Sequence, residues 1–264
     1  MKPKEMKPKE RIADYWDLRS NSYSRVAISN EIDEQRIWNQ SLTGLINKKV
    51  EKDDGIDRIL DVGTGSGFLG HLLAGMGFNV TGIDISHGMI SRAKAISLER
   101  GFSFELCLGD AENLPFGSRS FDIVISRHLL WTLPSPKRAL DEWIRVLKPG
   151  GRIMAIDGNW FDPSLCMEIR RILSRPISAL FGGGNPVPFG RFYNPIKHEL
   201  PLFSEISPRR LEILFREAGL ENIFIDSLED VNDFNKRHSY LYYRVAYKDP
   251  VFLVAGEKSP FSRD

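Results

Sequence analysis

The chain has 264 residues, 42% of them hydrophobic, with 36 basic and 35 acidic side chains. That length suits one large domain, or a domain carrying an inserted cap, and a net charge of +1 excludes a field that draws the whole chain to nucleic acid or a membrane. The two cysteines, Cys107 and Cys166, form no C-x-x-C pair, which argues against a thiolate metal site and a disulfide scaffold.

The opening "MKPKEMKPKE" is a tandem copy rich in Lys and Pro, without the apolar stretch of a secretory signal, and is expected to be a disordered tail over 1–10. With no apolar run long enough to span a bilayer, the expected location is the cytoplasm, with neither a membrane nor a nucleic-acid partner. Residues 11–56 read as a helical lead-in. "RIADYWDLRSNSYSRV" places Trp16, Arg19 and Tyr23 at helical spacing, and "EIDEQRIWNQSLTGLINKKV" carries a stripe of Ile32, Ile37 or Trp38, Leu42, Leu45 and Ile46.

From Asp57 the texture alternates between short apolar runs and helical patterns. The strands are "RILDV", "FNVTGID", "FSFELCLG", "FDIVISR" and "RIMAID". Between them lie the helices "GFLGHLLAGMG", "HGMISRAKAISLER", capped by Ser86 and ended by Gly101, and "PKRALDEWIRVLK". This rhythm predicts a Rossmann-like α/β fold, a doubly wound, mostly parallel seven-stranded sheet with helices on both faces and its cofactor-binding core at 57–157. Residues 158–206 break the rhythm and are expected to form an inserted substrate cap. They hold a helix interrupted by Pro176, then glycine- and proline-rich turns able to let the cap move. Over 207–264, "SPRRLEILFREAGL" is a helix capped by Ser207, and "ENIFIDSLED" and "DPVFLVAGEK" are two closing strands.

The turn "DVGTGSGFLG" overlays two glycine patterns. Gly65, Gly67 and Gly70 fit the template for a dinucleotide pyrophosphate, whereas Asp61 with Gly63, Gly65 and Gly67 fits a nucleoside site. Asp84, 21 residues after Gly63 at the end of the second strand, suits a ribose diol in either case. The acid after the third strand, in "GDAENLPF", suits an adenine amine. Asp61 decides between the templates, because its charge repels a pyrophosphate and attracts an ammonium.

Together "LDVGTGSG", "GIDIS", "GDAENLPF", "FDIVISRHLLWTL" and "RVLKPGG" resemble the class I S-adenosylmethionine-dependent methyltransferases with the type 11 domain, the small-molecule group, over roughly Ile59 to Asp157. The resemblance implies S-adenosyl-L-methionine as cofactor and a small-molecule acceptor whose nucleophile stays open among O, N, S and C. It implies that Asp61 sits near the methionine amino group, with Gly63, Gly65 and Gly67 under the methionine and ribose. Asp84 would hold the ribose, Ile85 and Met89 flank the adenine, and Asp110 with the Ala111 N–H read its edge. Ser126 and Arg127 would line the methionine end.

Tyr15, Arg19 and Tyr23, beside Trp16, are expected to close a lid, the latter two on the methionine carboxylate. His128, in the crevice after the fourth strand, is the candidate general base. No metal is expected, and oligomeric state stays open. A tRNA or protein methyltransferase of the same fold and an NAD(P)-binding oxidoreductase remain alternatives.

Overall fold

In the computed structural model, which describes residues 6–23, 31–47, 57–101, 104–161, 164–180, 187–239 and 251–261, the first strand, β1 (Arg58–Val62), is buried along almost its whole length. It pairs in parallel with β2 (Asn79–Asp84) on one side and β4 (Phe121–Arg127) on the other. The sheet extends through β3 (Glu105–Leu108) beyond β2 and through β5 (Leu147–Asp157) beyond β4. β7 (Phe252–Glu257) enters antiparallel between β5 and β6 (Glu221–Asp226), giving the order β3-β2-β1-β4-β5-β7-β6. The seven-stranded, mostly parallel sheet is the one the sequence predicts.

The apolar strand runs exist because both faces are covered. Successive residues alternate sides. Leu60, Val62, Val124, Ile153, Ala155 and Val254 share one cluster with α5 (Pro136–Val146) and α8 (Pro208–Glu217), through Leu140, Trp143, Leu211 and Phe215. Ile59, Ile123, Ile125, Met154, Ile156 and Leu253 face α2 (Glu31–Asn47), α3 (Phe68–Gly75) and α9 (Glu229–His238), through Trp38, Leu42, Leu73 and Val231. α4 (His87–Arg100) follows β2, with Ser86 accepting from the Met89 N–H and Gly101 left-handed at its end. Both caps match the sequence reading.

Five expectations change. Helix α1 (Pro8–Tyr23) takes in Pro8, Lys9 and Glu10 from the segment expected as tail. Ile32, placed in the apolar stripe of α2, is exposed at that helix's first turn. β5 starts at Leu147, not at Arg152, because Leu147 is fully buried and already extended where it pairs with Phe121. The buried ammonium of Lys258 gathers the carbonyls of Ile144 and Leu147 at 2.9 and 3.0 Å, where α5 stops. The stretch after β6 folds back as α9, with Glu229 and Asp230 in its first turn and Lys236, Arg237 and His238 in its last, a charge order that favours a helix. Lastly, α6 (Leu165–Leu180) runs through Pro176 without a break, and the aromatic segment beyond it contains α7 (Phe189–Tyr193). The glycine turns at 182–184 lie outside the described residues.

Gly70 shows how closely α3 is fitted. A Cβ there would stand 2.3 Å from the Phe104 ring, and one on Gly82 would stand 2.8 Å from the same ring. Gly70→Ala is therefore expected to destabilise by about 1–3 kcal/mol through overpacking, read as a lower thermal midpoint. An unchanged midpoint would mean that Phe104 moves aside freely.

Candidate active site

The sheet order reverses direction between β1 and β4, so a crevice opens at the carboxyl ends of these strands. The turn leaving β1 is tied to the end of β2. Gly63 and Thr64 donate backbone N–H groups to the Ile83 carbonyl at 2.8 and 3.0 Å. Gly65 donates to Asp84 Oδ2 at 2.8 Å, and the Ser86 N–H donates to Asp84 Oδ1 at 2.9 Å. Burial pushes the Asp84 carboxyl up to about 6, against the pull of these N–H bonds, with the Asp17 carboxylate adding to the rise.

The three glycines of the turn have different tasks. A Cβ on Gly65 (φ +56°) would meet nothing within 4 Å, so this residue borders open space. Gly63 (φ +69°) also lines the pocket, where a Cβ would press the Leu129 side chain at 2.8 Å. At Gly67 (φ +84°) a Cβ would strike the His71 ring at 2.7 Å, so this glycine serves packing inside α3 and lies off the pocket.

Asp61 is also off the pocket. It is 1% exposed, and its Oδ2 accepts from the Thr64 hydroxyl at 2.6 Å and the Gly70 N–H at 3.1 Å. Burial raises its carboxyl to about 6, opposed by those two bonds and by the Arg127 charge. Arg127 borders the pocket with its guanidinium over the Phe68 ring at 4.0 Å and the Trp38 ring at 5.7 Å. Ser126 is buried within β4.

Pocket walls come from Ile83, Ile85 and Met89 on one side and Leu129, Thr132, Leu133 and Pro134 on the other, with Gly109, Asp110 and Ala111 after β3. Asp110 Oδ1 accepts from the Glu112 N–H at 2.9 Å. Its Oδ2 lies 2.6 Å from Lys9 Nζ, which also reaches Glu112 Oε2 at 2.6 Å. Lys9, Ile12 and Trp16 are the face of α1 that closes the crevice. Tyr15 and Arg19 lie one helical step around. Tyr15 is buried among Phe189, Phe192 and Tyr193, and Arg19 is buried with Nη1 on the Ser22 hydroxyl. The Tyr23 side chain lies outside the described residues.

α1 is clasped onto the core. Asp17 Oδ1 accepts from the Ser86 hydroxyl at 2.6 Å and the Gly88 N–H at 2.8 Å, and Trp16 Nε1 donates to the Tyr193 hydroxyl at 3.1 Å. Gly88 permits this approach, since a Cβ there would come within 2.9 Å of the Asp17 carbonyl.

His128 adopts φ +59°, in the left-handed region that side-chain-bearing residues seldom occupy. Its Nδ1 is 3.7 Å from Asp157 Oδ1 at the end of β5, and its ring meets Trp160 edge-on at 4.8 Å. Asp157 is 1% exposed; Oδ1 accepts from the Gly158 N–H and Trp160 Nε1, while Oδ2 has no donor among the described residues. Burial pushes the imidazole down from its usual range, opposed by Asp157, and pushes the Asp157 carboxyl up, opposed by His128. Asp157 escaped the sequence reading although it stands at the end of "RIMAID" as Asp84 stands at the end of "GID". Lys9 lies in the tandem repeat, whose Lys and Pro content reads as a tail, and Ile12 lies in the lead-in helix, where spacing does not show that it faces the crevice.

The methyltransferase domain family matches residues 60–155, the span from β1 to β5. The chain is a class I S-adenosylmethionine-dependent methyltransferase. Demethylmenaquinone methyltransferase of Staphylococcus epidermidis is 29% identical over 230 residues, 83% of this methyltransferase and 88% of that one. Demethylmenaquinone methyltransferase of Clavibacter sepedonicus is 32% identical over 145 residues, 54% of this chain and just over half, 56%, of the relative. Among solved structures, phosphoethanolamine N-methyltransferase 2 of Haemonchus contortus, in complex with S-adenosyl-L-methionine, shares the fold with a TM-score of 0.55 at 18% identity, over 84% of this chain and 53% of that one. The open floor at Gly65 beside the Asp84 carboxylate fits a nucleoside without phosphates, so this methyltransferase's crevice suits the cofactor.

Two outcomes follow from this geometry. If the ionised Asp84 accepts ligand hydroxyls, S-adenosylhomocysteine affinity should fall by up to about tenfold per pH unit below about 6, measured by calorimetry from pH 7.5 downward; a flat profile removes that carboxylate from binding. Lys9→Met should speed amide hydrogen exchange across α1, and unchanged exchange would show that the Lys9 ion pairs do not hold the helix down.

Proposed function

We propose that this methyltransferase acts on a small aromatic acceptor bearing a hydroxyl group, with His128 as general base and Asp157 as its orienting partner. The observation that carries this reading is the pairing of His128, which borders the crevice, with the buried Asp157 at the end of β5. Beyond Trp160, whose ring meets that of His128, the chain enters a column of rings. Phe161, Phe189, Phe203 and Tyr193 stack with centroids 4.3–4.9 Å apart along the column, and Trp131 leans on Phe161 and Tyr193. Such surroundings favour a planar apolar ring over a charged peptide or nucleic acid. The demethylmenaquinone methyltransferase relatives are named for a quinone, likewise a planar apolar ring.

On the cofactor side, the backbone at Gly63 and Gly65 forms the floor, Asp84 accepts from both ribose hydroxyls, and Ile85 and Met89 hold the adenine faces. The Ala111 N–H and Asp110 read the adenine rim; Asp110 retains lone pairs for this beside Lys9. Arg127 faces the methionine carboxylate. Asp61, behind the turn, acts as a positioning residue, fixing the start of α3 and holding the Arg127 charge in place. Tyr15 and Arg19 shape the lid from its back.

When bound, S-adenosylmethionine supplies an electrophilic methyl carbon on a sulfonium. The chain's own part is to exclude water, align the acceptor and remove its proton. Burial keeps His128 neutral and therefore able to accept. With Nδ1 directed at Asp157, Nε2 is the nitrogen left for the acceptor hydroxyl. Asp157 then stabilises the imidazolium as the proton arrives, without taking the proton itself. The left-handed backbone at His128 keeps the ring at this spot.

His128→Ala should lower kcat by about 100- to 10,000-fold while leaving S-adenosylhomocysteine affinity nearly unchanged. Wild-type turnover on a phenolic acceptor would overturn the base assignment. Asp84→Ala should abolish the thermal shift given by S-adenosylmethionine with the fold retained, whereas stronger stabilisation by NAD than by S-adenosylmethionine would favour the oxidoreductase alternative.

A further inference from the structure

The chain leaving β5 turns back on the strand end. The Trp160 N–H donates to the Gly158 carbonyl at 2.9 Å, which returns the indole towards Asp157. Trp160 Nε1 then donates to Asp157 Oδ1 at 3.3 Å, and the indole meets the His128 imidazole edge-on at 4.8 Å. A Cβ on Gly158 would stand 2.9 Å from the indole, so the turn closes this tightly only with glycine there. The indole also packs against both core clusters, which fixes its place.

One oxygen is asked to serve three donors. Asp157 Oδ1 accepts from the Gly158 N–H at 2.9 Å and from Trp160 Nε1, and it is also the oxygen 3.7 Å from His128 Nδ1. A carboxylate oxygen offers two lone pairs, and the backbone and the indole take both. At 3.7 Å the imidazole is beyond the reach of a direct hydrogen bond. It therefore feels a carboxylate whose charge is already partly shared out. Burial lowers the imidazole from its usual range, Asp157 opposes that fall, and the Arg127 charge adds to it.

We infer that Trp160 is a positioning residue for His128: its indole N–H occupies Asp157 Oδ1 and its ring edge sets the imidazole plane. Trp160 does not border the crevice and acts only through its two neighbours. By drawing on the carboxylate, the indole leaves His128 neutral, and so able to accept a proton, over a wider pH range. The kinetic consequence rests on His128 being the general base; the effect on the imidazole itself does not.

The test is NMR titration of His128 in the full chain without acceptor, beside the pH profile of kcat on a phenolic acceptor. The resonance is assigned among the five histidines by its loss in His128→Ala. Trp160→Phe keeps an aromatic ring and removes the donor. A donor lost from the pair makes its deprotonated form less stable, whichever of the two groups holds the proton. The His128 midpoint is therefore expected to move to higher pH. On the acid side kcat should fall by up to about tenfold for each pH unit that the midpoint moves. The thermal shift given by S-adenosylhomocysteine should be retained. Gly158→Ala, which displaces the indole with its chemistry intact, should move the midpoint in the same direction. A His128 midpoint that stays in place or falls in both variants would overturn the inference. A midpoint that rises while the kcat profile stays would uphold it and remove His128 as the base.

Discussion

The turn after β1 hangs from the end of β2. Three backbone N–H groups in succession, those of Gly63, Thr64 and Gly65, are spent on Ile83 and Asp84. Everything at the crevice takes its position from this tether. It sets the height of the crevice floor, turns the chain into α3, and fixes the Asp84 carboxylate. Because two of the three bonds run from backbone to backbone and the third holds a buried carboxylate, the arrangement cannot drift as a surface ion pair can. Preorganisation of this kind lets a site rely on shape when its reactant already carries the activated group.

The same edge of the sheet concentrates buried acids. Asp61, Asp84 and Asp157 end β1, β2 and β5 or lie next to those ends, and burial raises the carboxyl of each. Backbone or hydroxyl donors satisfy most of their oxygens, so they remain inside the protein at tolerable expense. The exception is Asp157 Oδ2, which has no donor among the described residues, while its Oδ1 lies 3.7 Å from the His128 ring.

Much of this was legible from the chain alone because parallel strands buried on both faces have an unmistakable texture. β1 and β4 begin and end where "RILDV" and "FDIVISR" begin and end. The glycine turn and the acids in "GID" and "GDAENLPF" were legible too, and the crevice brings Gly63, Gly65, Asp84, Ile85, Met89, Asp110, Ala111, Arg127 and His128 together. What the sequence hid was rotation and tertiary pairing. Helical spacing shows which residues of α1 share a face, but not which face borders the crevice; Lys9, Ile12 and Trp16 do so, whereas Tyr15 and Arg19 are buried away from it. Gly67 and Asp61 belong to a motif whose members look equivalent in one dimension. Only the distance to His71 and Gly70 separates packing duties from ligand duties. The α9 helix was missed because its apolar content is small and its charge order was not weighed.

Helix α1 touches both halves of the molecule. Its Lys9 and Ile12 border the nucleoside crevice, and its Tyr15 and Trp16 lock into the rings of the cap through Phe189, Phe192 and Tyr193. One rigid helix therefore has a side in each, and any displacement of it would open the crevice and unpack the rings together, so that the two are coupled through a single element.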